Sequence, residues 1–155
     1  MSAIEPSQDL VTALQSEVMG EAAFRSACLT SLDGAKRAKL RALWRLEAQT
    51  KQRIINHYQD NGIRMPGTGW LAMKSSLLGL LFHLSPWKML IKSFLEETDK
   101  YLVVFRRLEA EAAEADKALF QNVVDHELAI QSFAQLESQG RGDASIEAVT
   151  ALLET

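Results

Sequence analysis

Four stretches of this chain repeat apolar residues at helical spacing, and each carries a glutamate in the middle of its apolar stripe. Residues three and four apart share one face of a helix, so each stripe has to be buried against a neighbour. The first stretch, about 6–30, reads Leu10, Leu14, Glu17, Glu21 and Phe24. The second, about 35–60, reads Leu40, Leu43, Glu47, Thr50 and Ile54. The third, about 86–112, reads Leu90, Phe94, Glu97, Tyr101, Val104 and Leu108, with Glu96 able to replace Glu97 by a small rotation. The fourth, about 115–139, reads Phe120, Val123, Glu127, Ile130 and Ala134. The pattern predicts an all-α, four-helix bundle.

The breaks between stretches set the order of the elements. Pro6 suits a first helical turn, Asp33 follows a Ser31-Leu32 break as an N-cap, and Asn61-Gly62 is a helix stop. Ser85-Pro86 reads as cap and first turn of the third long helix, and Gly140-Arg141-Gly142 ends the fourth. Between 62 and 85 lies a long crossover joining helices 2 and 3. Its turn cluster Met65-Pro66-Gly67-Thr68-Gly69 precedes an apolar segment that is too short, and carries Lys74, to make a membrane span. A short C-terminal helix is expected at about 145–153. At 155 residues the chain makes one domain, its bundle core about 8–139.

Composition removes several function classes. With 17 Lys+Arg against 20 Asp+Glu the chain has a net charge of −3, so nucleic acid is not an expected partner. The basic run Lys36, Arg37, Lys39, Arg41 and Arg45 reads as a solvated face. One cysteine, Cys28, allows neither an internal disulfide nor a cysteine-only metal cage. There is no Gly-rich phosphate loop, no zinc Cys/His spacing and no nucleophile elbow. Met1 to Asp9 lacks the basic and apolar run of a signal peptide, so a cytoplasmic location is the expectation.

The glutamates are the chemical signal. Glu17 and Glu47 stand 30 residues apart, as do Glu97 and Glu127, which in antiparallel pairs of equal helices puts the members of each pair at one level. Carboxylates gathered in an apolar bundle repel one another and lose several kcal/mol of hydration per ion. Metal ions, protonation or basic side chains have to compensate. A pair of divalent cations is one such solution for this layout.

In helix order, long crossover and glutamate spacing, residues 8–139 resemble the ferritin-like superfamily, which includes rubrerythrins, ubiquinone-biosynthesis hydroxylases and aldehyde-deformylating oxygenases. The resemblance implies a ferritin-like four-helix bundle and a site for two divalent ions, Fe or Mn. Its ligands would be Glu17 or Glu21, Glu47, Glu97 and Glu127. The family's Glu-x-x-His pairs are broken here: Thr50 and Ile130 stand where the histidines belong. A site of carboxylates alone suits harder ions such as Mn or Mg. His126, next to Glu127 and bordering the same stripe, is the one histidine able to substitute, although a boundary position is the plainer reading of it. His57 lies ten residues beyond Glu47, too far along the helix to join it.

The missing histidines favour a metal-site-degenerate scaffold that binds a partner or an apolar ligand. The retained glutamates keep a carboxylate-bridged dimetal oxidoreductase as the alternative. A third reading comes from residues 70–95, where Trp70, Leu77, Leu81 and Trp87 accompany Lys74, Lys88 and Lys92. This segment packs on the core, forms an interface such as that of a homodimer, or lies on a membrane surface as an adaptor would.

Overall fold

The computed structural model describes residues 3–153 of the chain. It contains α1 (Gln8–Thr30), α2 (Gly34–Asp60), α3 (Gly69–Leu80), α4 (Trp87–Glu111), α5 (Lys117–Ser138) and α6 (Glu147–Leu153). Two 3-10 turns, Phe82–Leu84 and Glu114–Asp116, flank α4. The all-α expectation holds: the one β feature among the described residues is an isolated bridge between Ile4 and Ile63.

The helix ends follow from local chemistry. Ser7 caps α1, its hydroxyl accepting from the Leu10 N–H at 3.2 Å, so Pro6 stands outside the helix and not in its first turn. A capping hydrogen bond needs a side-chain acceptor, which Ser7 supplies and proline lacks. Asp33 caps α2 as expected, accepting from the Lys36 N–H at 3.0 Å. Past the end of α2, Gly62 adopts φ +62°, and the Ile63 N–H turns back to the Tyr58 carbonyl at 2.9 Å. Such a closing turn needs a left-handed residue, where a β-carbon is costly. Before α4, Pro86 occupies the cap position itself, in place of Ser85. The link between α4 and α5 carries no Gly or Pro because an extended Ala112 and a 3-10 turn make the corner.

Contacts between helix ends give the directions. Arg107, late in α4, grips Asp9 at the start of α1 through two bonds of 2.8 Å. His57, late in α2, meets Asp116, just before α5, at 3.3 Å. At the opposite end, Lys36 of early α2 lies over the Trp87 ring of early α4. Hence α1 and α5 run one way while α2 and α4 run the other. The crossover helix α3 runs along the outside of α1, where Gly79 is so close that a β-carbon would sit 2.2 Å from the Ala23 carbonyl oxygen.

The core has two apolar halves. One is built on Leu10, Leu14, Ile54, Tyr58, Phe105 and Val123. The other is built on Phe24, Leu43, Leu46, Ile91, Phe133 and Val149. Between them in the order of every bundle helix come buried polar residues: Ser16 and Glu17 on α1, Glu47 and Thr50 on α2, Thr98 on α4, His126 and Glu127 on α5. This layer positions the site.

Candidate metal centre

Each helix brings its polar residue inward because apolar residues near it on the same helix are themselves buried. Glu17 is flanked by Leu14 and Val18, Glu47 by Leu43 and Ile54, and His126 by Val123 and Ile130, all in the core. The carboxyl groups therefore cannot swing out to water without withdrawing their neighbours.

His126 lies in the middle. Its Nδ1 is 3.5 Å from Glu17 Oε1 and its Nε2 is 3.6 Å from Glu47 Oε2. Residues Glu17 and His126 are each 1% exposed. Both ring nitrogens and Glu17 Oε2 lack a hydrogen-bond partner. Burial pulls the imidazole down to about 3, so it is neutral. A neutral imidazole has one N–H and one lone pair. Whichever tautomer forms, a lone pair faces one of the two carboxyls, and that contact is repulsive unless a proton or a cation lies between.

Among the described residues, no positive charge compensates the carboxyls. Burial, then the Glu47 charge, raises Glu17 well above the ordinary carboxyl range. Glu47 is pushed up to about 8, chiefly by burial. Glu127 rises well above its usual value through burial and the Glu47 and Glu97 charges. No lysine or arginine among the described residues forms an ion pair with any of the three.

Space has been left for this arrangement. A β-carbon at Gly20 would meet the Glu47 carboxyl group at 2.4 Å, so the absence of a side chain there lets that carboxyl lie against the α1 backbone. A cavity of about 170 Å³ opens above it, walled by Met19, Ala23, Phe24, Phe82, Phe94 and Ile130. Glu17, Glu47, Glu127 and Tyr101 supply its polar lining, and Glu97 also borders it. Burial, then the charges of Glu97, Glu127, Glu47 and Glu17, holds the Tyr101 hydroxyl up at about 12. A void of this size admits a molecule about as large as one aromatic ring.

The residues expected from the sequence divide accordingly. Glu17, Glu47 and His126 come together, one ligand atom of each lying within 4.8 Å of the others. Glu127 is buried and faces the same cavity. Glu21 is excluded from the cluster because it pairs with Lys51 across α1 and α2. Glu97 is half exposed and held by Lys100 at 2.6 Å. The boundary reading of His126 is corrected: it is the buried centre of the layer. Tyr101 and Gly20 were not recognised as site residues, although Tyr101 follows Glu97 by one helical turn and Gly20 follows Glu17 by three positions.

The donor set suits a metal ion. Atoms bound to one ion at about 2.1 Å stand about 3.0–3.4 Å apart in octahedral or tetrahedral geometry. One ion takes a single ring nitrogen, so either the 3.5 Å or the 3.6 Å separation, each close to that range and too long for a good hydrogen bond, would lie within its sphere, with an oxygen of the other carboxyl within 4.8 Å. Neutral imidazole and ionised carboxylate are the ligating forms, and an ion would lower the raised carboxyls by its charge. Comparison with protein-family models, with curated proteins and with solved structures finds nothing that matches this chain.

Proposed function

We propose that this chain is a ferritin-like helical bundle that binds a divalent transition-metal ion through Glu17, Glu47 and His126, beneath a cavity for a small apolar molecule. The observation that carries this reading is His126, fully buried between two carboxyls with neither ring nitrogen hydrogen-bonded. Two carboxylates and an imidazole suit Mn, Fe or Zn better than Ca or Mg. One donor atom from each of these three residues, all within 4.8 Å of one another, supports one ion taken by a single ring nitrogen, in contrast to the pair implied by four glutamates, and Glu127 offers a further oxygen from the cavity wall.

The helix directions, with two antiparallel pairs and a long crossover that makes α4 parallel to α2, support the ferritin-like reading. As iron or manganese, the ion would supply redox chemistry to whatever occupies the cavity, which makes an oxidoreductase the proposed activity. The remaining work falls to the chain itself. Phe24, Phe82, Phe94 and Ile130 exclude water and hold an apolar body. Tyr101 keeps its proton at neutral pH and serves as a hydrogen-bond donor in the lining.

A metal-free scaffold for an apolar ligand is the second reading. It is favoured by the proximity of Glu17 and Glu47, whose raised affinity for protons offers another way to cancel their charge. Cobalt(II) titration separates the two. The first reading predicts visible ligand-field bands that are lost in His126→Leu and Glu47→Gln. A spectrum identical to free cobalt in the unsubstituted protein would leave the scaffold reading.

A further inference from the structure

Large apolar side chains on a short surface helix are usually turned toward the core, but α3 does the reverse. Its buried positions are Ser75 and Gly79, the small residues that allow close approach to α1. Its outer face carries Trp70, Met73, Leu77 and Leu78, all at least half exposed, and Leu81 and Leu84 continue the exposure into the turn beyond. Eight of the fourteen exposed large apolar residues of the described chain lie between Trp70 and Met89. Scattered apolar residues on a surface need no explanation, but a run of this kind does.

The charge of the segment is as one-sided as its hydropathy. Residues 62–95 contain no aspartate or glutamate, in a chain whose net charge is −3. Arg64 is paired with Glu5, and Lys92 approaches Glu96 at 3.8 Å. Lys74 and Lys88 form no ion pair with any described residue and are exposed. An apolar helix face bordered by unpaired lysines, in a segment that carries no acid of its own, matches the interface of an anionic bilayer, where apolar side chains enter the acyl boundary and lysines meet phosphate headgroups.

We infer that α3 and the turn after it dock this protein on the surface of a membrane rich in anionic lipid. No helix among the described residues is long and apolar enough to cross a membrane, so the segment lies on the surface. A second copy of the chain is the less suitable occupant. A two-fold contact through this face would set Lys74 and Lys88 against a surface with no acidic residue to receive them. The docking does not depend on the metal site, although Phe82 belongs to this segment and also walls the cavity. Its position places the cavity wall beside the lipid-facing segment.

Co-sedimentation of the full chain with phosphatidylcholine vesicles, with and without phosphatidylglycerol, tests the inference. Binding to the anionic vesicles is expected, weakened about tenfold or more in Leu77→Ser/Leu81→Ser and in Lys74→Glu/Lys88→Glu. All four side chains are exposed, so circular dichroism of both variants is expected to match the parent. Three results would overturn the inference: no binding to anionic vesicles, binding that both variants retain, or a stable dimer that Leu77→Ser/Leu81→Ser dissociates without any vesicle affinity in the parent.

Discussion

At the scale of single residues, carboxylates on the inner faces are treated in opposite ways. Glu137, near the end of α5, is partnered by Lys39, by the Trp87 indole N–H at 2.8 Å and by the Ser145 hydroxyl at 2.6 Å. Burial pushes it up, yet those three donors prevail and hold it below the usual range. Glu17 and Glu47 have no lysine or arginine partner among the described residues, and burial raises both. The metal-free protein therefore carries a definite pH signature. Glu47 is ionised above 4.5 when unfolded but holds its proton to about 8 when folded, so its contribution to stability is present at low pH and is lost as pH rises through that window. His126 acts oppositely: it stays neutral down to about 3 when folded, against 6.5 unfolded, so its stability contribution is lost as pH falls below 6.5. Between 6.5 and 8 the carboxyl effect acts alone. Melting of chelator-treated protein should show a midpoint that falls across this interval, with a shallower slope in Glu47→Gln. An unchanged slope in that variant would remove Glu47 as its source.

At the scale of elements, helix existence and order were legible in the sequence because the 3.6-residue repeat is long and regular in each stretch. Their ends were legible where a residue with one special property sits, as with Asp33, Gly62 and Gly140. They were not legible where a neighbour took the role, as Pro86 did from Ser85 at the start of α4. The crossover was readable as a helix but not in its orientation, since periodicity does not distinguish a face packed through small residues from one packed through large ones. Gly79 decides that orientation. Its missing β-carbon would strike the Ala23 backbone, which is part of α1 and cannot turn aside. Gly79→Ala should therefore destabilise the fold by about 1–3 kcal/mol, as overpacking does. Urea unfolding measures this, and a neutral result would mean that α3 is free to move away from α1.

At the scale of the whole molecule, two apolar cores enclose one polar layer, and the chain is organised around that layer. Half of the layer was readable. The common level of Glu17 and Glu47 followed from their spacing, as did the inward position of Glu127. The choice between Glu17 and Glu21 was not readable, because it depends on Lys51 reaching across from α2. Nor was the central place of His126. A rotation of α5 that buries both members of the His126-Glu127 pair comes from packing against α4 and α2 together, and one helix's periodicity does not contain it. Thr50 and Ile130 occupy the positions of the expected histidines, while His126, next to Glu127, brings a ring nitrogen to each of two carboxyls. The central claim is that this nitrogen and two carboxylates hold a metal ion. Metal content by mass spectrometry, on protein loaded with Fe(II), Mn(II) or Zn(II) and then desalted, tests it most directly. About one ion per chain is expected, set by the three-ligand cluster found among the described residues, and lost in Glu47→Gln, in His126→Leu and in Gly20→Ala, where a β-carbon displaces the Glu47 carboxyl. A chain that retains no ion under any loading, or that retains it in all three variants, would contradict the claim.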